Sequence, residues 1–266
     1  MAESNSTQTP EEAAPQSIGL VNLVVETLYS LAARPEGSSI RAIAQETGNS
    51  RSSTHRILQY LAKSGYAEQT ENGSYVVGSR LVSLSARVFG VVPVLQIARS
   101  IMRRLVDEVG ETCYLATYLP GDNFCTYVHR VESANLVRHV QPLGVRLPLH
   151  AGAVGKAILT ALPDFDFSKL ELVPFTVHTL TTEAALQQGL ELVRSKGYAV
   201  SVEERVLGIA GVASVLKSED IVVGALTVSV PLSRVSPPDL DEIGRAVKAH
   251  ADELSSALTG IGVTRI

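Results

Sequence analysis

Apolar positions near the N-terminus repeat at helical spacing. Between residues 18 and 33 they recur close to every 3.6 residues, and Pro35 and Gly37 end this pattern. Ser39 can cap a second helix, and Gly48-Asn49-Ser50 ends that helix and caps a third one over residues 51–64. The pattern therefore predicts three helices with a short turn between the second and the third.

The third predicted helix has one apolar and one polar face. Its apolar positions lie at i, i+3, i+4 and i+7, namely Thr54, Ile57, Leu58 and Leu61. The opposite face and the first turn carry side chains that can hydrogen-bond to bases and phosphates: Arg51, Ser52, His55, Arg56, Gln59 and Lys63. This composition indicates a DNA-recognition helix; the solvated face of an ordinary bundle helix is the alternative.

The segment after the third helix favours the interpretation of that helix as a DNA-recognition helix. Residues 66–70 and 74–77 are prone to form strands, and Asn72-Gly73 between them is a strong hairpin-turn signal. Three helices followed by a hairpin predict a winged helix-turn-helix over residues 17–78. Residues 1–16 are polar, contain proline and lack aromatic side chains, so they are predicted to be a disordered tail.

Residues 79–109 predict connecting helices with an apolar stripe. A linker helix is expected over residues 79–93, and the stripe continues through Ala98, Ile101 and Leu105. An apolar stripe needs a partner surface. Packing against the C-terminal domain and contact with the same helix of a second subunit are both open at this point.

Strand and helix patterns alternate in the C-terminal domain, which is predicted over residues 94–266. The predicted elements are a hairpin over 112–119 and 124–132, a third strand over Val137–Val140, helices over 152–162 and 182–196, strands over 198–202, 212–216 and 222–230, and a final helix capped by Ser236. This order predicts an α+β sheet domain. In the expected hairpin register, Cys125 lies opposite Tyr118 and Cys113 lies on the other face, so the cysteines are expected to stay reduced.

Charge and hydropathy narrow the class of protein. The net charge is −4, and up to Arg80 the chain has six Lys or Arg against eight Asp or Glu. DNA binding would therefore have to come from the local placement of basic residues. No segment approaches the roughly 20 apolar residues of a membrane span, and residues 1–17 lack the features of a secretory signal. We expect a cytoplasmic protein with no membrane partner.

Sites of chemistry are sparse. The segment His150–Ala157 falls short of a P-loop, because it lacks the four-residue spacer and a Ser or Thr after the lysine. Its small residues leave backbone N–H groups open at a helix start, which suits an anion; a close helix–sheet contact is the alternative. The histidines at 129, 139 and 150 lack zinc-like spacing, and Glu203-Glu204 would point to opposite faces of a strand. We expect no catalytic residue, metal or cofactor.

Several separated motifs together resemble the IclR family of bacterial transcriptional regulators, from about residue 17 to residue 260. They are Gly48–Leu58 with Gly65-Tyr66, Tyr75–Leu81, Gly144–Ala151 with Gly155-Lys156-Ala157, Lys196-Gly197-Tyr198, Glu203-Glu204 with Gly208, and Pro231–Arg234. The resemblance implies a GAF-like α/β effector domain joined to the winged helix by the linker helix. It also implies a homodimer through the N-terminal module and linker, often paired into a dimer of dimers.

The resemblance and the residue pattern together define two candidate sites. The candidate DNA-binding residues are Ser39, Ser50, Arg51, Ser52, Ser53, Thr54, His55, Arg56, Gln59, Asn72 and Gly73. The resemblance implies an effector pocket lined by Ala151, Gly152, Ala153, Val154, Gly155, Ser201, Ile209, Gly211, Thr227 and Ser229. Effectors in the family are commonly small organic acids or aromatic catabolic intermediates. Ser201 and Gly211 supply less polarity and bulk than some family members show.

The resulting hypothesis is a dimeric regulator that binds operator DNA and senses a small carboxylate. The acid group would bind the N–H groups of Gly152–Gly155, and Thr227 with Ser201 or Ser229 would donate hydroxyl hydrogen bonds. The space left at Gly211 favours an aromatic or branched acid over one of two or three carbons. The alternatives are an enzyme acting on a small carboxylate and a scaffold that uses the winged helix for protein contacts.

Overall fold

A computed structural model describes residues 16–91 and 93–263 of the chain. The chain forms two compact units that divide between Gly90 and Val91, within the segment predicted as the linker. The tail predicted over residues 1–16 lies outside the described residues, except for Gln16, which begins the first helix. Among the helices of the described ranges, none is long and apolar enough to cross a membrane.

The N-terminal unit contains the predicted helices and hairpin. Its elements are α1 (Gln16–Ala32), α2 (Ile40–Thr47), α3 (Arg51–Lys63), β1 (Ala67–Gln69), β2 (Tyr75–Val77) and α4 (Ser79–Val91), of which the last residue already belongs to the other unit. Strands β1 and β2 pair antiparallel, with Glu68 opposite Val76. Leu31, Ile43 and Leu58 are fully buried in the core that holds the three helices together. This arrangement is the winged helix-turn-helix that the sequence predicts.

Local side-chain bonds set the ends of the two helices of the turn. The hydroxyl of Ser39 accepts a hydrogen bond from the N–H of Ala42, and that of Ser50 accepts one from the N–H of Ser53. Gly48 ends α2 in the left-handed region, with φ +69°. Because these signals are local, the sequence alone is sufficient to place the turn.

The C-terminal unit is a six-stranded antiparallel sheet with helices on both faces. Its elements are α5 (Pro93–Val109), β3 (Thr112–Tyr118), β4 (Phe124–Val131), β5 (Arg146–Pro148), α6 (Ala153–Thr160), α7 (Glu183–Lys196), β6 (Ala199–Val202), β7 (Ile209–Ser218), β8 (Ile221–Pro231) and α8 (Pro237–Gly260). The strand order is β5-β4-β3-β8-β7-β6. The α+β class is confirmed, and the architecture is compatible with the expected GAF-like domain.

Each face of the sheet has its own hydrophobic core. One core joins the sheet to α5 and α8, and the other joins it to α6 and α7. Ala98, Ile101 and Leu105 of α5 are buried in the first core. The apolar stripe of α5 therefore packs inside its own domain, and the suggestion that it contributes to a dimer contact is wrong.

The hairpin of β3 and β4 has the predicted register. Cys125 lies opposite Tyr118, and Cys113 and Cys125 belong to the cores on opposite faces of the sheet. Both thiols are free and buried. Burial raises the pKa of Cys125 to about 12, and it also raises the pKa of Cys113. The cysteines are therefore protonated, buried and unable to pair with each other.

The strand predicted over Val137–Val140 is wrong. This segment has no regular structure, and side chains hold it in place: the Tyr114 hydroxyl donates to the carbonyl of His139 and accepts the N–H of Gln141. The free edge of β4 is taken instead by β5, with Cys125 opposite Leu147. Alternation of apolar and polar residues predicts a strand. A strand forms, however, only where the edge of a neighbouring strand is free to pair with it.

Candidate functional site

The outward face of α3 is exposed and positively charged. Ser52, His55, Gln59 and the three basic residues Arg51, Arg56 and Lys63 are all exposed. The helix contains no acidic residue, and none of its basic side chains forms an ion pair with another residue in the described ranges. Although the whole chain is acidic, this helix presents a local cationic surface that suits phosphate and guanine.

The hydroxyl-bearing candidates around α3 divide into two groups. Ser39 and Ser50 are exposed helix caps, and Ser53 lies beside Ser50, with 2.9 Å between the two hydroxyl oxygens. Thr54 is fully buried, and its hydroxyl donates to the carbonyl of Ser50 at 3.0 Å. The prediction that Thr54 contacts DNA is therefore wrong, because its side chain belongs to the core.

The tip of the hairpin is an ordered, exposed turn. Gly73 has φ +82°, a left-handed conformation that favours glycine. The Oδ1 atom of Asn72 accepts hydrogen bonds from the Thr70 hydroxyl and from the N–H of Ser74. These bonds use only the oxygen of the Asn72 side chain. Its amide nitrogen is therefore left to donate to a phosphate.

The second candidate site is a cavity of about 40 Å³ in the C-terminal unit. It lies at the start of α6, where strands β4, β7 and β8 and the turn after β6 meet. All of the candidate effector-binding residues line it: Ala151, Gly152, Ala153, Val154, Gly155, Ser201, Ile209, Gly211, Thr227 and Ser229. The tertiary structure thus brings together positions that are up to 78 residues apart in sequence, from Ala151 to Ser229.

The start of α6 offers open backbone donors to this cavity. Ala153, Val154 and Gly155 are the first three residues of the helix, so their N–H groups have no acceptor within it. The N–H of Gly152 is already used, because it donates to Glu204 at 3.0 Å. The loop also makes a close contact: a Cβ atom on Gly155 would lie 2.1 Å from the carbonyl oxygen of Leu149. The close helix–sheet contact is therefore present, and the N–H groups at the helix start stay a predicted anion site.

Lys156 has a structural partner rather than a phosphate. It is buried, it forms an ion pair with Glu204, and it donates to the carbonyl of Val200 at 2.8 Å. Glu204 is buried too, and its second oxygen accepts the N–H of Gly152. A buried pair of this kind is tolerated because each charge has a partner and further hydrogen bonds. The pair fixes the turn after β6 against the start of α6.

The three hydroxyl groups of the cavity differ in what they can donate. Thr227 donates to the carbonyl of Val212 at 2.9 Å, so its proton is not available to a ligand and the predicted role as a donor is wrong in this structure. The Ser229 hydroxyl lies 3.0 Å from Nδ1 of His139. Ser201 is buried, and its hydroxyl makes no hydrogen bond to another described residue. Ser201 is therefore the cavity hydroxyl without a hydrogen-bond partner among the described residues.

The cavity wall also contains residues that the sequence does not indicate, above all Arg205. Its Nε atom is buried without a hydrogen-bond partner among the described residues. Its side chain packs on Gly152, where an added Cβ atom would lie 3.0 Å from Cδ of Arg205. The other missed residues are Cys125, Tyr127, Gln141, Leu147, Pro148, Val206, Ala210 and Val228. The one sequence signal for Arg205 was its place directly after Glu203-Glu204.

Two models of known protein families match the chain. The family model described as IclR helix-turn-helix domain matches residues 25–71, and the model described as Bacterial transcriptional regulator IclR C-terminal matches residues 86–256. The chain belongs to the IclR family. It is therefore a transcription regulator with a helix-turn-helix domain and a C-terminal effector domain, and not an enzyme.

Relatives and solved structures agree with this assignment. The HTH-type transcriptional repressor AllR of Escherichia coli (strain K12) is 32% identical over 83% of each chain. The crystal structure of an IclR transcriptional regulator from Alicyclobacillus acidocaldarius has a TM-score of 0.77 and 25% identity, over 90% of this chain and 98% of that one. An IclR homolog from Microbacterium hydrocarbonoxydans, complexed with 4-hydroxybenzoate, has a TM-score of 0.72 and 24% identity, over 90% and 99%.

Proposed function

We propose that this IclR-family regulator binds operator DNA as a homodimer and responds to a small carboxylate in the cavity of its C-terminal unit. The observation that carries the DNA-binding part is the exposed face of α3, which has three basic side chains and no acidic one. A helix of 13 residues is about 20 Å long, which suits insertion into a major groove. The wing at Asn72-Gly73 would then contact the neighbouring phosphates.

The proposed dimer rests on apolar side chains that the N-terminal unit leaves exposed. Val21, Val25 and Tyr29 form a stripe on α1 at i, i+4 and i+8, with exposed fractions of 61%, 40% and 59%. Tyr60 on α3 is 70% exposed. One winged helix offers few phosphate contacts, whereas two copies on a near-palindromic site double them. A second copy of the chain is the partner that this stripe fits, and two dimers can pair further.

The proposed ligand class follows from the chemistry of the cavity. The open N–H groups at the start of α6 and the positive end of its peptide dipoles favour an anion. Ser201 can add a hydroxyl hydrogen bond, and Ile209 covers an apolar side. The complex of the Microbacterium homolog with 4-hydroxybenzoate, which is a carboxylate, supports the same class.

We propose a smaller ligand than the sequence favours. Ala153 Cβ lies 3.5 Å from where a Cβ of residue 211 would be, so the wall is in ordinary contact distance of this position. A water needs about 10–15 Å³ of such space, so a cavity of about 40 Å³ holds a ligand of a few heavy atoms. We therefore propose an acid of roughly two to four carbons. An aromatic acid would require the wall to move.

Two measurements test these proposals. Operator DNA, selected by the purified protein from a random pool, should bind with an affinity that falls steeply as salt increases. A scaffold that uses the winged helix for protein contacts would show no such affinity. Thermal unfolding of the full chain with carboxylic acids and their amides tests the ligand class. If amides raise the melting temperature as much as acids do, the carboxylate proposal fails.

A further inference from the structure

Arg205 is the only charged side chain among the described residues that line the cavity. Its Nε atom is buried and has no hydrogen-bond partner within the described part of the chain. Arg205 is half-buried and its guanidinium carbon lies 5.8 Å from the centre of the Phe175 ring. Leaving the buried Nε–H without an acceptor costs free energy, because this N–H has lost water and gained no hydrogen bond. An acceptor supplied by a ligand would remove this cost.

The nearest ion pair does not balance the charge of Arg205. Lys156 and Glu204 neutralise each other, and the Glu204 carboxylate also accepts the N–H of Gly152. Glu203, on the same turn, accepts the N–H of Gly208 and lies 3.3 Å from His178, outside the cavity lining. Neither carboxylate is therefore free to pair with Arg205.

The remaining ionisable groups of the cavity are neutral near pH 7. Burial raises the pKa of Cys125 to about 12, and burial also raises the pKa of Tyr127. His139 contacts the cavity residue Ser229, and burial together with the charge of Arg205 lowers the pKa of this histidine. The described residues thus leave the cavity with one uncompensated positive charge.

We propose that the guanidinium of Arg205 binds the carboxylate of the ligand, and that this single charge makes the cavity selective for monocarboxylates over dicarboxylates. The inference rests on the proposed function. One carboxylate neutralises Arg205 and matches the two parallel N–H donors of its planar fork. A second carboxylate would be buried without a free cation, which is strongly unfavourable.

Isothermal titration calorimetry of the full-length protein at pH 7.5 tests this assignment with propionate, malonate and propionamide. Arg205→Gln is expected to weaken propionate binding about 10- to 100-fold, as the loss of hydrogen bonds to a charged group does. Arg205→Lys, which keeps the charge but not the fork, should lie between. Arg146→Gln is the matched control, because Arg146 is exposed and lies over the Phe124 ring outside the cavity lining. Propionamide binding should not depend on residue 205.

Each outcome has a distinct meaning. Propionate binding that is lost in Arg205→Gln, intermediate in Arg205→Lys and unchanged in Arg146→Gln supports the proposal, provided that melting curves show folded variants. Equal propionate affinity in the wild type and both Arg205 variants overturns the role of Arg205 and leaves the carboxylate ligand standing. Malonate binding as tight as propionate binding overturns the selectivity. If the wild type binds propionamide and no carboxylate, the proposed function itself fails.

Discussion

Ser52 and Thr54 lie two residues apart on α3 but differ in what they can contact. Ser52 is exposed on the polar face, whereas Thr54 is fully buried and donates to the carbonyl of Ser50. Thr227 in the cavity resembles Thr54, because its hydroxyl already donates to the carbonyl of Val212. At the scale of the residue, the role of a hydroxyl group depends on whether the backbone nearby has already used its proton.

The basic residues of α3 are expected to carry operator recognition. Arg51→Ala or Arg56→Ala should cost about 1–3 kcal/mol of binding free energy where the arginine contacts a base, and should relax preference at one operator position. An arginine that contacts phosphate would weaken all sequences alike and flatten the salt dependence. Fluorescence anisotropy measures both effects, with Arg103→Ala in the C-terminal unit as an exposed control. Unchanged operator binding by a folded double variant would contradict the assignment of α3.

The stability of the C-terminal unit is expected to fall as the solution is made acidic. Burial and Arg205 lower the pKa of His139, and burial and Arg99 lower the pKa of His129. At mildly acidic pH the unfolded chain therefore binds more protons than the folded chain does. The free energy of unfolding falls as the pH drops below about 6.5, which is the pKa of histidine in the unfolded chain. Urea unfolding between pH 7.5 and 5.5 measures the slope. His139→Gln and His129→Gln should each flatten it, and an unchanged slope in the double variant would rule this explanation out.

At the scale of the element, the start of α6 depends on close packing against the segment before it. Gly155→Ala would bring a Cβ atom to 2.1 Å from the carbonyl oxygen of Leu149, so backbone must move. The expected loss of unfolding free energy is at least about 1–3 kcal/mol, as for overpacking in a core. Gly189→Ala on α7 is the control, because its nearest atom would lie at an ordinary 3.5 Å. Denaturant melts should therefore separate the two substitutions, and equal stability would show that α6 is not tightly packed there.

At the scale of the whole molecule, an acidic chain has to concentrate its few basic side chains to bind DNA. The net charge of −4 opposes non-specific binding, so under the proposed function the affinity for an operator would come from the face of α3 in two copies. We expect a dimer or larger assembly by light scattering at micromolar concentration. Substituting both Val21 and Tyr29 by Glu should shift the protein towards monomer and weaken operator binding by about tenfold or more.

The control for this prediction is Val177→Glu, since Val177 is an exposed apolar residue of the C-terminal unit. Val21 and Tyr29 are exposed in the single chain, so their replacement should leave the fold of the N-terminal unit intact. A wild-type protein that is monomeric at micromolar concentration and still binds its operator tightly would contradict the dimer.

The sequence by itself determined most of the elements and indicated the residues of the two candidate sites. The turn between α2 and α3, the wing at Asn72-Gly73 and the register of Tyr118 with Cys125 follow from caps, turn residues and alternation. These signals act over a few residues, so they do not depend on the rest of the fold. The family motifs marked the cavity positions in the same way, because each motif is a short run of residues.

Only the tertiary structure decided which surfaces and atoms are free. The stripe of Ala98, Ile101 and Leu105 packs against α8 and the sheet. The edge of β4 pairs with β5 and not with the segment at Val137–Val140. The unpaired Nε of Arg205 and the small volume beside Gly211 depend on distances between segments that are far apart in the chain. Periodicity in the sequence indicates which face of an element is apolar and which is polar. The residues that contact each face come from distant parts of the sequence, so only the packed fold determines them.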